Sequence, residues 1–567
     1  VAGEARRALT LPRPVSVAWH LSVPPGGKLG TSVAGLGSAT ASGSVEVVVT
    51  PEGGTSKTVA STAVSAGWQD LVADLSELGG QVVRLELRAT PAEGGGGRIA
   101  FGEPAIWAAP AGPTDAVSDR KPKHIVIVLT DTLRASKLKI YNPESRVISL
   151  VIDRIAEEGV VFEQAQSPAP WTKPSVASIL TGLHPMTHGA KTQAAVVPDS
   201  ARFLGEHLKS MGWSTAAFIG NGYVSDKFGF DQGWDRYRNF IREGADTDAP
   251  NIYREAGDWA EQHKDDKFLL YVHTIDPHVP YDPPQEDLER YDPRPNYDGI
   301  VKPRSTGDLL AKAKKNPPLV VFSESDKRRL EALHDGEITQ HDVEMGKFID
   351  RLVRLGIWDD TLFVFVSDHG EEFEEHGSWG HGHSVYQELL QVPLVMRFRG
   401  GIPAGVRVPS SVSTMDISPT VLEVAGLAPL PNAEGRSLVP LFRGGRFDVP
   451  AVAFSEWGDN RRVAVAGPWK FILRGNLTTA MFDLSADPGE QNQLDVTDFP
   501  IAGRYTRILQ GQFLGASDRA NWFASEQGEG QRLVGEGQET QMDAATCEQL
   551  KALGYVDAET DCSALDG

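Results

Sequence analysis

Two regimes of hydrophobic patterning divide the chain. Up to about residue 112, apolar and polar positions alternate in short runs separated by glycine-rich turns. These runs are Val15–Val23, Gly43–Thr50, Gln81–Thr90 and Arg98–Trp107, with a four-glycine turn at Gly94–Gly97. Period-two alternation and β-branched residues at Val45–Val49 and Val82–Leu87, with no amphipathic helix between them, predict an antiparallel β-sandwich. A small-residue, proline-containing stretch (AAPAGPTDAVSDRKPK) follows and predicts a linker. Beyond it, continuous apolar strands alternate with helical periodicity. His124–Leu129 reads as a strand, Val147–Glu158 as a helix and Val160–Phe162 as a strand. The alternation recurs at Phe203–Met211 with Thr215–Ile219, at Phe268–His273, and at Asp342–Leu355 with Leu362–Val366. Such units predict an α/β fold: a doubly wound, mixed or parallel sheet with helices on both faces. The expected organisation is a β-sandwich accessory domain over 1–112, a linker over 113–123, the main α/β domain over 124–450, and a C-terminal subdomain and tail over 451–567. Lys302–Asp326 reads as a surface loop, with a lid as the alternative.

Composition narrows the class. The 567 residues predict two to four domains at about 150 residues each. With 40% hydrophobic and 23% charged residues, the chain can bury a large core. The net charge of −21 argues against nucleic acid or an anionic membrane as the main partner, although a local basic pocket remains compatible with an anion. No apolar run approaches the roughly 20 residues of a membrane span. The chain starts at Val1 without a signal peptide and reads as a trimmed form. Its two cysteines, Cys547 and Cys562, lie close enough in sequence for a disulfide, which favours an oxidising compartment, periplasmic or extracellular; two free thiols are the alternative.

In doubly wound folds, functional side chains gather past the C-terminal ends of strands. Three groups lie there. Asp131, in Thr130-Asp131-Thr132-Leu133-Arg134, follows the strand His124–Leu129 and suits either a metal or a helix cap. Asp368 and His369, in Ser367-Asp368-His369-Gly370-Glu371, follow Thr361–Val366. At a tight turn their carboxylate and imidazole can converge on one ion, and this donor pair suits Zn²⁺ or Mn²⁺ better than Ca²⁺. In Pro170–Gly182 (PWTKPSVASILTG), Pro174 in a first helical turn puts Thr172 at a helix N-terminus, where amides and dipole favour an anion. A metal would activate that hydroxyl; otherwise Thr172 is an N-cap.

From about His124 to Gln493 the chain resembles the sulfatase-like family of the alkaline phosphatase superfamily. The resemblance rests on Asp131-Thr132-Leu133-Arg134, Thr172–Gly182, Asp276-Pro277-His278-Val279-Pro280-Tyr281, Asp335-Gly336-Glu337-Ile338, Asp368-His369-Gly370-Glu371 and Tyr386–Leu394, which occur in family order. It implies the same alkaline-phosphatase-like doubly wound fold. Three departures change the expected chemistry. The residue that sulfatases oxidise to formylglycine aligns with Thr172, Val176 stands where their arginine belongs, and Thr132 replaces the usual second carboxylate. Threonine cannot become formylglycine, so the chain resembles the threonine-nucleophile branch of phosphodiesterases, nucleotide pyrophosphatases and phosphoethanolamine transferases.

The resemblance implies a metal site of Asp131, Thr172, Asp368 and His369. For Asp276, His278, His381 and His383 it leaves two roles open: a second metal, or contact with the substrate and protonation of the leaving group by His278 and His381 or His383. Surface histidines are the plain alternative. It implies that Asn221 donates to a non-bridging oxygen, with a turn role as the alternative. Lys173 and Arg134 would supply the positive charge that the missing arginine at 176 does not, with a solvated surface charge as the alternative for either. His184, His188 and His273 are assigned structural roles. The acidic run Glu371, Glu372, Glu374 and Glu375 reads as a solvated loop, with an outer-partner role for Glu371 as the alternative. The expected activity is hydrolysis of phosphate diesters or phosphonate monoesters, on small molecules or glycans. The rivals are a sulfuric ester hydrolase, a phospho-headgroup transferase and a non-catalytic glycan-binding protein.

Overall fold

Alternation in the first hundred residues becomes eight strands: β1 (Ala8–Leu11), β2 (Val15–Ser22), β3 (Gly27–Leu36), β4 (Gly43–Pro51), β5 (Lys57–Val64), β6 (Gln69–Asp74), β7 (Val82–Pro91) and β8 (Arg98–Ala108). They form two four-stranded antiparallel sheets, ordered β1-β8-β3-β6 and β2-β7-β4-β5. Val45, Val47 and Val49 of β4 and Val83, Leu85 and Leu87 of β7 join Leu29, Val33 and Phe101 in one buried cluster. The patterning revealed β2, β4, β7 and β8. It missed β1, β3, β5 and β6; in β3 and β5, Gly, Ala, Ser and Thr blur the apolar–polar alternation.

The computed structural model describes residues 8–11, 15–24, 26–36, 42–92, 98–108, 118–442, 451–455, 461–466, 468–474, 477–505, 508, 539–540, 543–552 and 560–563. The Gly94–Gly97 turn, part of the expected linker and much of the tail lie outside the described residues. By packing, the chain divides into one unit of Val1–Pro113, Arg443–Pro450 and Ala464–Gly515, and a second of Thr114–Phe442, Ala451–Val463 and Ala516–Gly567. The described residues between 464 and 508, expected in a C-terminal subdomain, therefore fall in the first unit. There Val82 shares an apolar cluster with Ala464, Ile501 and Tyr505, and the Ala502 amide donates to Glu52 Oε2 at 2.7 Å.

One ion cluster in this unit sets an acid limit. Arg84, Glu86 and Arg88 alternate along β7 and so share a face. Glu86 is only 5% exposed, with Arg88 Nε 3.0 Å from Oε1. The Arg88 hydrogen bond, helped by Ser16 and Arg84 and opposed by burial, lowers its pKa from 4.5 to about 2. A depressed carboxyl pKa gives stability that is present above 4.5 and lost as the pH falls towards 2. Because both arginines are partly solvated, Glu86→Gln is expected to cost about 1–2 kcal/mol at pH 7 and much less near pH 3. Urea unfolding of the full chain at the two pH values checks this; an equal cost at both would remove the ion cluster as its cause.

The second unit is built on an eight-stranded mixed sheet. Its strands are β9 (His124–Thr130), β10 (Val160–Gln166), β11 (Ser214–Ile219), β12 (Arg236–Asn239), β13 (Phe268–Thr274) and β14 (Thr361–Ser367), then, after a hairpin of β15 (Glu372–Phe373) and β16 (Trp379–Gly380), β17 (Leu394–Arg397) and β18 (Val406–Ser413). The order is β12-β11-β13-β9-β14-β17-β10-β18, with β17 antiparallel to both of its neighbours. Every residue of β9, β13 and β14 is buried, as their unbroken apolar runs require of strands covered on both faces. The helices include α1 (Leu150–Glu157), α2 (Thr172–Thr181), α3 (Pro185–His188), α4 (Leu204–Ser210), α5 (Ala249–Gln262), α6 (Gln285–Tyr291), α7 (Thr306–Ala313) and α8 (Glu324–Arg354).

Two expectations need correction here. The helix read over Asp342–Leu355 is the second half of the 31-residue α8, whose polar first half hides its periodicity. Ser323 and Asp326 start it with a reciprocal cap: Asp326 N donates to Ser323 Oγ at 3.2 Å, and Ser323 N to Asp326 Oδ2 at 3.0 Å. Lys302–Asp326 is not a bare surface loop, because it contains α7 and the first turn of α8. Leu310 and Phe322 anchor it in a satellite core with Tyr281, Leu288, Val301, Leu333 and Trp379. Cys547 and Cys562 form a disulfide. Among the described residues, no helix is long and apolar enough to cross a membrane.

Candidate active site

Parallel pairing in register brings the carboxyl ends of three central strands together. Thr130 lies beside Thr274 of β13 and beside Ser367 of β14, so Asp131 and Asp368 leave the sheet side by side. Thr132 then turns the chain with φ 57°, a left-handed conformation that a β-branched residue adopts only under strain of order 1–2 kcal/mol. That turn aims the Thr132 amide at Asp368 Oδ1 (3.3 Å) and the Leu133 amide at Ser367 Oγ (3.0 Å). At Gly370 a Cβ would stand 2.0 Å from the Glu388 carbonyl oxygen, so the Asp-His-Gly turn needs glycine there.

The N-terminus of α2 meets this turn. Ser175 Oγ donates to the Asp368 carbonyl at 2.7 Å, and Thr172, the first residue of α2, places Oγ1 3.2 Å from His369 Nε2. His369 Nδ1 donates to the Gly370 carbonyl (2.9 Å), so in the neutral ring Nε2 carries a lone pair. Facing it are Asp368 Oδ2 at 3.4 Å and Asp131 Oδ1 at 3.7 Å, two buried oxygens with no hydrogen-bond donor. All four side chains are fully buried. Burial, reinforced for Asp368 by Asp131, raises both carboxyl pKa values, that of Asp368 to about 6.

Converging lone pairs without donors are costly unless a cation lies among them. Tetrahedral ligands at 2.0–2.2 Å from Zn²⁺ stand about 3.3–3.6 Å from one another. The observed 3.2, 3.4 and 3.7 Å bracket that spacing, so the residues present fit a divalent transition metal.

His273 also offers a ligand atom within 4.8 Å of those of Asp131 and Asp368. Its Nε2, however, lies 3.1 Å from Asp131 Oδ2, the oxygen turned away from His369, while its Nδ1 lies 3.3 Å from Tyr271 Oη. Burial lowers its pKa to about 4. A neutral ring accepting from Tyr271 and donating to Asp131 orients that carboxylate. The sequence reading had set His273 aside as structural. The available signal was a lone histidine near the end of the otherwise apolar strand Phe268–Thr274.

The remaining expected residues separate into those that face the centre and those that do not. His381 and His278 face it. The His381 ring centroid is 4.6 Å from that of His369 and 5.0 Å from that of His278. His381 Nδ1 lies 3.0 Å from Glu371 Oε1, and Tyr281 Oη donates to Glu371 Oε2 at 3.1 Å. Burial holds His278 at a pKa of about 4 and, with His369 and Lys314 adding repulsion, takes His381 well below its usual value.

His383 does not share that position. Its Nε2 is 2.6 Å from Glu372 Oε2 and its Nδ1 is 3.2 Å from the His381 carbonyl, so it holds the loop. The Asn221 amide donates to Asp131 Oδ2 at 2.6 Å while its Oδ1 accepts from the Tyr223 amide, so Asn221 orients Asp131. Lys173 turns away: its ammonium donates to the Gln193 and Ala195 carbonyls at 2.7 Å each and lies 4.0 Å from the Phe228 ring centre. Arg134 is committed to Ser136 Oγ, the Glu371 carbonyl and the Glu375 carboxylate. Asp276 shares a buried hydrogen bond with Glu337, and burial raises both carboxyl pKa values. It is therefore paired with another acid.

The family model described as Sulfatase matches residues 123–427, more than half of the chain. The chain belongs to the sulfatase family. A second model, described as N-sulphoglucosamine sulphohydrolase, C-terminal, matches residues 374–499 of this sulfatase-family protein. Arylsulfatase K of Mus musculus is 26% identical to it over 434 residues, covering 66% of this chain and 76% of the relative. The multifunctional alkaline phosphatase superfamily protein PehA of Trinickia caryophylli is 23% identical over 475 residues, covering 66% and 91%. The phosphonate monoester hydrolase of Agrobacterium radiobacter superposes with a TM-score of 0.58 at 20% identity, over 70% of this chain and 96% of that one. The resemblance read from the motifs and the doubly wound fold both hold, and the protein is a hydrolase acting on sulfuric or phosphoric esters.

Proposed function

We propose that this protein hydrolyses monoanionic phosphorus esters, phosphate diesters or phosphonate monoesters of small molecules or glycans, with Thr172 as the nucleophile. The observation that carries this reading is the Thr172 hydroxyl at a helix N-terminus, 3.2 Å from His369 and beside the donorless oxygens of Asp131 and Asp368. Monoanions are favoured because Lys173 and Arg134 spend their charge elsewhere. A bound divalent ion, with Zn²⁺ or Mn²⁺ suited to the Asp, Asp and His donors, would acidify the hydroxyl and offset charge on the ester. Asp131, Thr172, Asp368 and His369 would hold it, with Asn221 and His273 fixing Asp131.

Thr172 Oγ1 bonds to phosphorus as the bond to the leaving oxygen breaks, and the hydroxyl proton passes by way of His381 to that oxygen. Water then attacks the phosphothreonine and gives a proton to the neutral His381 held by Glu371; as the bond from phosphorus to Oγ1 breaks, His381 returns that proton to Oγ1, which restores the threonine hydroxyl and the neutral ring. The Cys547–Cys562 disulfide supports a periplasmic or extracellular setting.

Sulfuric ester hydrolysis is the second reading, favoured by relatives such as the choline-sulfatase of Rhizobium meliloti, 32% identical over 178 residues that cover 30% of this chain. Comparing kcat/KM for bis(4-nitrophenyl) phosphate, 4-nitrophenyl phenylphosphonate and 4-nitrophenyl sulfate decides between them. The phosphorus monoanions are expected to react at least about tenfold faster, a difference of some 1.4 kcal/mol in barrier. A faster sulfate would overturn this assignment in favour of the second reading.

A further inference from the structure

A cation absent from every expectation drawn above stands beside this centre. Lys314 is the first residue after α7, and its Nζ donates to the His381 carbonyl at 3.3 Å. The element carrying it is fixed at both ends. Thr306 Oγ1 accepts from the Tyr281 amide at 2.8 Å, and the Arg304 amide donates to the Tyr281 carbonyl at 2.8 Å. Leu310 is buried with Trp379, whose ring meets that of Phe322 at 4.8 Å.

The hairpin also leaves room for the ammonium. Gly380 has φ 74°, and a Cβ there would lie 2.6 Å from Lys314 Nζ and 3.3 Å from Glu371 Oε1. The neighbouring carboxylates are already engaged: Glu371 by Tyr281 and His381, and Glu372 by His383 and the His376 and Ser378 amides. Among the described residues the Lys314 ammonium makes one hydrogen bond and no ion pair, which leaves two of its three donors.

Position separates its role from that of the reacting group. Asp131, Thr172, Asp368 and His369 are fully buried, the His381 side chain is 9% exposed, and Lys314 is exposed. Exposure thus rises from Thr172 through His381 to Lys314. An ester seated on Thr172 with its leaving group towards solvent on the His381 side would bring that group to Lys314. We propose that Lys314 is a specificity residue that binds a second anionic group, a carboxylate or a sulfonate- or sulfate-type oxyanion, on the leaving-group half of the substrate. This rests on the ester-hydrolase reading of the same site.

The test compares three 4-nitrophenyl phenylphosphonates: unsubstituted, 2-carboxylated and 2-sulfonated on the nitrophenyl ring. Lys314→Gln is expected to raise KM for an ester with a charged leaving group about tenfold more than for the unsubstituted one, the size of one charge-assisted hydrogen bond, with kcat little affected. The carboxylate and sulfonate arms show which oxyanion the site prefers, and Lys314→Arg should restore the discrimination. Equal losses on all three esters, or no loss, would overturn the proposal. Binding of the same esters to Thr172→Val, measured by calorimetry with and without Lys314→Gln, keeps the two readings apart. A Lys314-dependent preference without turnover in the parent protein sinks the hydrolase assignment alone. Turnover without the preference sinks the role of Lys314 alone.

Discussion

Replacing Thr172 by valine is expected to abolish turnover, with a loss in kcat/KM of at least about 10³-fold, because it removes the attacking oxygen and keeps the branched shape. The side chain is fully buried at the first turn of a helix whose residues are all buried. Alanine alone would therefore leave open whether activity fell through a packing defect. Valine and alanine losing activity equally, with thermal midpoints near that of the parent, would place the effect in the hydroxyl. Thr172→Ser keeps the oxygen and should retain measurable turnover. Acid quenching during steady-state hydrolysis of a phosphonate monoester should trap phosphorus on the peptide containing Thr172, and the valine variant should trap none. Near-normal activity in the valine variant would remove the nucleophile assignment and leave a water molecule as the attacker.

The parts of this site legible in the sequence are those that backbone periodicity dictates. Asp131 and Asp368 each follow an unbroken apolar strand, and parallel register places such strand ends together, so their convergence follows from topology. Thr172 was legible because the proline two residues on belongs in a first helical turn.

Side-chain direction was the part out of reach. Lys173 is adjacent to Thr172, but one residue of α-helix rotates the side chain by about 100°, onto a face that meets Phe228 and two carbonyls. His381 and His383 carry the same chemistry two residues apart in an irregular loop. Which one faces His369 depends on where Glu371 and Glu372 stand, and that depends in turn on the β15–β16 hairpin. Asn221 stands at the end of an apolar strand, but its amide is drawn to Asp131 Oδ2, a contact 90 residues away in sequence. Lys314 was hidden for a different reason. Its segment is polar and rich in lysine and proline, and only the spaced Leu310 and Phe322 show that it folds onto the site.

Stripping divalent cations should produce the second large effect, and its energetics separate a structural ion from a catalytic one. Asp131 and Asp368 are buried together with donorless oxygens, and burial pushes the Asp368 pKa up to about 6. The ion-free protein thus carries an uncompensated pair of acids, and dialysis against a chelator is expected to lower activity by about 10³-fold or more. Returning Zn²⁺ or Mn²⁺ should restore it at one ion per chain, because Asp276 is paired with Glu337 and not with a second set of ligands. Binding also stabilises: an ion present at 100 times its Kd adds about 2.7 kcal/mol, visible as a rise in thermal midpoint.

Asp368→Asn makes the two effects diverge. In chelator the variant should melt above the parent, because one of two crowded carboxylates has gone. On adding metal it should gain little stability and no activity. A parent protein whose activity and melting are indifferent to chelation would show that the lone pairs around His369 are satisfied by protons, and the threonine would then have no means of activation in this fold.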